Sequence, residues 1–247
     1  MRDIIGVAIL AGMLGANVAA ADTVDLELVL LADASGSIDD AEIRFQRRGY
    51  AEAITHPEVL DAIAQGFDQR IAVTYVEWGT VGSQDVVVPW TIVDGPESAK
   101  LFADALVEAP RRAFGMNAIG QAIAVAQGLI ETNDVDGYRK VIDISADSAT
   151  SWGGIPVAEA RRTALDAGVV INGLAILCRE PECSGRPNTY DLEAAFADTI
   201  IGGPGSVVIR ADGGIHFAEA VRRKLVLEIA GAPHPGPGAL RLADRRE

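Results

Sequence analysis

Leu26-Glu27-Leu28-Val29-Leu30-Leu31-Ala32-Asp33-Ala34-Ser35-Gly36-Ser37 is the stretch that decides the fold. Its first half is an apolar run of strand length. Its second half is a turn of small residues, with one carboxylate and two hydroxyls at alternate positions. A strand this apolar is covered on both faces, which calls for helices above and below a sheet. A helical stretch from about Asp39 to Ile54 follows directly, so the unit reads strand–turn–helix.

Working outward, the same alternation continues. Ile71–Val76 and Asp85–Trp90 read as strands, and the short Gly79–Gln84 link between them predicts a hairpin. Pro89 lacks the N–H a central strand needs, so the second of the pair belongs at a sheet edge. Ile119, Ala122, Ile123, Ala126 and Ile130 recur with helical spacing and define one buried helix face. Val141–Ile144 reads as a strand, and Pro156 and Gly168 bracket a helix over Pro156–Ala167. Val169–Leu177 is a near-continuous apolar strand. A helix near Asp191–Thr199, a short strand Val207–Ile209 and a last helix Ile215–Ile229 complete the series. The pattern predicts a three-layer α/β fold, with a mostly parallel central sheet, helices on both faces and one antiparallel edge strand.

The ends read differently. Residues 1–20 pass from Met1-Arg2 through an apolar run to Val18-Ala19-Ala20, which resembles a secretory signal peptide cleaved after Ala20 or Ala21. Gly6, Gly12, Gly15 and Asn17 leave the apolar run too short for a bilayer span. The expectation is an exported protein, periplasmic or secreted, with a domain over residues 22–231. Residues 232–247, opening Ala232-Pro233-His234-Pro235-Gly236, read as a flexible tail. The net charge of −14 argues against nucleic acid and anionic membranes as partners. Cys178 and Cys183 are the two cysteines; in an exported chain such a pair reads as a local disulfide, and a zinc site is the weaker reading.

In open parallel sheets, sites form beyond the carboxyl ends of strands, which directs attention to Asp33, Ser35 and Ser37. Oxygen-only donors suit hard cations. Asp33-x-Ser35-x-Ser37 after a buried strand resembles the metal-ion-dependent adhesion site (MIDAS) of von Willebrand factor A (VWA) domains. The likeness extends over roughly Val24 to Ile229. It implies that Ser35 and Ser37 contact the ion while Asp33 holds it through water and hydrogen bonds. It also implies one donor from the loop before a middle helix and an aspartate after a later strand. Gly115-Met116-Asn117-Ala118-Ile119-Gly120 and Ile144-Ser145-Ala146-Asp147 match those elements. Two departures stand out: Asn117 occupies the family's threonine position, and Ser148 follows Asp147 where glycine is frequent. Asn117 also suits the N-cap of the helix that begins there, so ligand, cap or both remain open. The three residues Asp33, Ser35 and Ser37 have a plainer reading as cap and turn residues of the next helix.

The phrases Tyr75-Val76-Glu77-Trp78 and Ile171–Ile176 are similar to a bacterial exported subgroup of these domains that lacks an assigned function. The resemblance implies a module that binds, by Mg²⁺ (or Mn²⁺ or Ca²⁺) held at Asp33, Ser35, Ser37, Asn117 and Asp147, an acidic residue of a partner protein. No catalysis is expected. Asp143 reads as structural or supporting, and would share a face with Ser145 and Asp147 if the strand ran that far. Trp78 reads as core or rim packing. His56, His216 and His234 are scattered without zinc-hydrolase spacing, and neither a nucleophile elbow nor a phosphate loop is present. A magnesium-dependent hydrolase of the haloacid-dehalogenase-like type is the enzyme alternative. Those enzymes carry a second aspartate where this chain has Ser35, which cannot supply that carboxylate. A structural domain with a vestigial metal site is the third reading.

Overall fold

The computed structural model describes residues 21–177, 190–212 and 215–231. The proposed leader, the tail and both cysteines lie outside them. The elements run β1 (Asp22–Val24), β2 (Leu26–Asp33), α1 (Asp40–Ile54), α2 (Pro57–Ala64), β3 (Ile71–Trp78), β4 (Gln84–Val93), α3 (Pro96–Glu108), α4 (Ile119–Glu131) and β5 (Val135–Gly137). They continue with β6 (Lys140–Ala146), α5 (Val157–Asp166), β7 (Val170–Leu177), α6 (Leu192–Thr199), β8 (Val208–Asp212) and α7 (Ile215–Ala230).

Six strands form one sheet in the order β4-β3-β2-β6-β7-β8, parallel except for β4, and β1 pairs with β5 in a small parallel ribbon. The apolar run that opens the sequence is the central β2, fully buried between β3 and β6. Its side chains alternate with the period of two that a pleated strand imposes. Leu26, Leu28, Leu30 and Ala32 enter one core with α1, α2, α3 and α7, whereas Val29 and Leu31 enter the other with α4, α5 and α6. The antiparallel β4 carries Pro89 at the sheet edge and pairs with β3 through the anticipated hairpin.

Two helices, α2 and α3, and two short strands, β1 and β5, are not among the elements that the sequence patterns predict. Pro57 and Pro96 sit at the first turn of their helices, a helix-start signal. His56 caps α2 by accepting the Glu58 N–H on Nδ1 at 3.2 Å.

The two cores contain buried charge. Arg47 donates from Nε and Nη2 to the two oxygens of Glu77, at 2.7 and 2.9 Å, and also to the carbonyls of Ala109 and Pro110. Asp143 lies with Lys224 and Glu228 of α7, on the face opposite α4. Strand β6 ends at Ala146, so Asp147 leaves the ladder and Asp143 does not share the site's surroundings. The structural reading of Asp143 fits this arrangement. Trp78 is fully buried, and its indole N–H reaches the Leu31 carbonyl at 3.2 Å.

Candidate metal centre

From β2 the chain crosses outward through α1 to β3, and from β6 it crosses the other way through α5 to β7. The two strands are neighbours, so their carboxyl ends diverge at a topological switch point, where an open sheet forms its crevice. Asp33 ends β2, opposite Trp78 of β3, and Asp147 follows the last residue of β6. A cleft of about 660 Å³ opens there, lined by Ser35, Ser37, Met116, Asn117, Asp147 and Trp152 among others.

Local bonds fold the Asp33–Ser37 turn. Asp33 Oδ1 accepts the Ser35 N–H at 2.7 Å, and the Ser35 and Ser37 hydroxyls stand 3.4 Å apart. The helix cap is a different residue: Asp39 accepts the N–H groups of Ala41 and Glu42 and completes a capping box with Glu42. None of Asp33, Ser35 and Ser37 therefore serves as the α1 cap.

The Asn117 loop is pinned against this turn. Gly36 N–H donates to the Gly115 carbonyl at 2.7 Å, and the Ala118 N–H donates to the Gly79 carbonyl at 3.0 Å. Gly115 has φ +101°, and a Cβ there would meet Thr80 Cβ at 2.8 Å, so only glycine fits the approach. Arg111 fastens the other side, donating from Nη2 to the carbonyls of Ala34 at 2.8 Å and Ile38 at 2.9 Å. Nothing local in the sequence marks Arg111 for this role, because its targets lie more than 70 residues away in the chain.

Of the readings left open for Asn117, ligand, cap or both, the structure removes the cap. Ala118 holds the N-cap position and makes no side-chain cap bond. Asn117 instead donates from Nδ2 to the Thr150 carbonyl at 2.8 Å. Its Oδ1 is buried and has no hydrogen-bond partner, and the same is true of Asp33 Oδ2. An unpaired buried acceptor costs about 1–3 kcal/mol, so two at one sheet end demand an explanation.

Burial pushes the Asp33 carboxyl up to about 7, the nearby Asp147 charge adds to the rise, and hydrogen bonds from Ser35 offset part of it. Asp147 is also raised, by burial first, against a lowering hydrogen bond from the Ser37 hydroxyl. A buried Asp33 carboxyl raised further by the Asp147 charge is an electrostatic deficit that a cation would relieve. Among the described residues no three His, Cys, Asp or Glu side chains converge. The candidate donors are two carboxylates, two hydroxyls and an amide carbonyl, all oxygen, a chemistry that would fit a hard divalent cation rather than a thiolate- or imidazole-bound one. All five residues anticipated from the sequence meet at this sheet end, four of them lining the cleft and Asp33 buried beneath it.

A family model described as a protein of unknown function (DUF1194) matches residues 23–233. The chain belongs to the DUF1194 family. No curated protein sequence matches it. Solved structures similar to this DUF1194 chain include the pilus adhesin SpaC from Lactobacillus rhamnosus GG, with 14% identity and a TM-score of 0.57. That match covers 84% of this chain and 30% of the adhesin. Proximal thread matrix protein 1 from the mussel byssus, in a structure with a zinc-occupied MIDAS motif, has 16% identity and a TM-score of 0.54 over 85% of this chain and 48% of its own. BatB from Bacteroides thetaiotaomicron has 18% identity and a TM-score of 0.50, covering 83% of this chain and 98% of its own. The DUF1194 chain thus spans less than half of the adhesin and of the matrix protein. At these identities the likeness establishes the fold, which is VWA-like.

Proposed function

We propose that this protein is a metal-dependent binding module. Asp33, Ser35, Ser37, Asn117 and Asp147 hold one divalent cation, Mg²⁺ or alternatively Mn²⁺ or Ca²⁺, and the loaded site takes a carboxylate from a partner protein. The observation that carries this reading is the pair of buried, partnerless acceptors, Asp33 Oδ2 and Asn117 Oδ1, at one sheet end with the two serine hydroxyls. A bound cation supplies a Lewis-acidic position for one external oxygen. The protein's own contribution is to hold five oxygen donors at the carboxyl end of the central strands and to exclude competing groups.

The reading is one of binding and not catalysis. Ser35 stands where a haloacid-dehalogenase-like hydrolase needs its second carboxylate, and a serine hydroxyl cannot act as that acid/base. The similar folds of a pilus adhesin and a byssal matrix protein, one with a zinc-occupied MIDAS motif, support an adhesion or assembly role. They also support an extracellular or envelope location, in line with the leader-like residues 1–20. Among the described residues, no helix is long and apolar enough to cross a membrane.

The deciding experiment is calorimetric titration of Mg²⁺ and Mn²⁺ into chelator-stripped protein, beside Asp33→Ala. Saturable one-site binding in the wild type that disappears in the variant supports the reading. A folded wild type that takes up neither ion sinks it and leaves a vestigial site.

A further inference from the structure

Eleven large hydrophobic residues are exposed among the described residues, and five of them stand in the loops around the cleft: Val81, Phe114, Met116, Trp152 and Tyr190. Met116 and Trp152 line it directly, 55% and 57% exposed. Phe114 adjoins Gly115 of the lining, Val81 lies against Gly153 and Gly154, and the Tyr190 hydroxyl accepts the Ala149 N–H at 3.0 Å.

These side chains are not exposed because their loops are slack. Trp152 N–H donates to the Asn117 carbonyl at 2.6 Å, and Thr80 N–H to the Phe114 carbonyl at 3.0 Å. Phe114 N–H reaches Ser83 Oγ at 2.9 Å, and the Arg111 guanidinium sits 4.7 Å from the centre of the Phe114 ring. Held backbones of this kind fix the position of the side chains they carry. An apolar surface on a fixed frame is what a pre-organised contact requires.

We infer that the partner is a protein segment whose carboxylate is flanked by bulky apolar side chains, recognised by Met116, Trp152 and Phe114 around the metal-held group. This rests on the metal-dependent reading above. Charge sets the rest of the partner's chemistry. The protein carries −14, and Asp39 stands exposed at the start of α1 beside the turn, while the neighbouring Asp40 is paired with Arg111 at 2.8 Å, so an acidic stretch would meet like charge outside the centre. One carboxylate in an otherwise neutral or basic, apolar-flanked segment satisfies both the centre and the rim. Nucleic acid and anionic membranes satisfy neither.

The test uses two fluorescent nine-residue peptides with one central aspartate, flanked either by leucine and phenylalanine or by serine and glycine. Anisotropy is read with the full chain in Mg²⁺ and in EDTA, and Mn²⁺ uptake is titrated separately. The apolar-flanked peptide is expected to bind at least about tenfold more tightly in Mg²⁺, the scale of 1.4 kcal/mol. That preference should vanish in EDTA, in Asp33→Asn and in the double variant Met116→Ser/Trp152→Ser. The double variant should keep its Mn²⁺ titration, and Phe67→Ser/Tyr138→Ser, altering an exposed aromatic pair at the opposite sheet end, should bind both peptides as the wild type does. Equal binding of the two peptides, binding of neither, or an unaltered Met116/Trp152 variant, each with normal Mn²⁺ uptake, overturns the inference and leaves the metal reading standing. Preference that persists in EDTA also overturns it. Failure of the wild type to take up either Mg²⁺ or Mn²⁺ removes the reading and the inference together.

Discussion

The side-chain amide of Asn117 donates to the carbonyl of Thr150 over 2.8 Å, and this bond decides which end of the amide is left as an acceptor. With Nδ2 committed, Oδ1 is the atom without a partner, buried beside a cleft that also carries Ser35, Ser37 and Asp147. Asn117 thereby leaves an unpartnered oxygen beside the proposed cation site and adds a tie to the loop after β6.

Asn117→Ala removes both the donor and the tie. Cation affinity should fall about 10- to 100-fold, the loss found when groups supporting a metal site are deleted. Asn117→Thr should restore most of the affinity, since a hydroxyl oxygen returns, while the bond to Thr150 is lost. Calorimetric titration of Mn²⁺ into the three proteins distinguishes these outcomes. Equal affinity in wild type and Asn117→Ala would remove Asn117 from the ligand set.

Asp33→Asn retains an Oδ1 that can accept the Ser35 N–H, so the turn should persist. The cation should no longer stabilise the fold. In the wild type, ligand at 100 times its dissociation constant adds about 2.7 kcal/mol to stability, and the melting temperature should rise accordingly. Thermal denaturation with and without Mg²⁺ reads the difference; a shift of the same size in the variant would place the ion elsewhere.

Arg47→Ala should be severely destabilising, by about 3–5 kcal/mol, because it strands the buried Glu77 carboxylate. Replacing both partners, Arg47→Met with Glu77→Leu, should cost much less. Arg47 also holds the carbonyls of Ala109 and Pro110, at the head of the loop that carries Asn117. Urea unfolding of the single and double variants checks the ordering, and an Arg47→Ala cost below 1 kcal/mol would contradict it.

The Glu228 carboxyl is pushed up to about 7, by burial first and then by Asp143, with Lys224 and Asn172 lowering it. Asp143 is also raised, by burial, against the pull of Lys224. Two carboxyls around one ammonium leave one proton shared between them. A raised folded-state value means the native chain binds more protons than the unfolded chain between 4.5 and about 7. This contribution to stability is therefore complete below pH 4.5 and lost as pH rises through 7. Glu228→Gln keeps the oxygen that accepts from Asn172 and Lys224, and it puts an amide where Oε2 has no partner. Relative to the variant, the wild type should lose up to roughly 3 kcal/mol between pH 4.5 and 8, at 1.36 kcal/mol per unit. Parallel stability–pH curves for the two proteins would refute the assignment.

The layered sheet was legible because its signals are local. The apolar run of β2 and the helical spacing from Ile119 to Ile130 each encode burial within a few residues, and Pro89 marks the edge through one missing N–H. The α2 and α3 helices were harder to read, because the patterns there are short and their boundaries rest on Pro57 and Pro96 alone. Asn117 shows the limit of local rules: its residue type favours a cap, yet Ala118 takes that place.

The alternation of strands and helices and the turn residues Asp33, Ser35 and Ser37 were written in the chain over short distances, as hydrophobic periodicity and alternate spacing, whereas Asn117 and Asp147 were reached only through the resemblance to VWA domains. Only the tertiary structure decided that these residues converge, that Asn117 turns to Thr150, and that Asp143 answers to Lys224 instead of the cleft. It also revealed Arg111 and the apolar rim. Each of those depends on groups tens of residues apart meeting in a low-dielectric interior, where partnership is set by the packing of elements and not by neighbours along the chain.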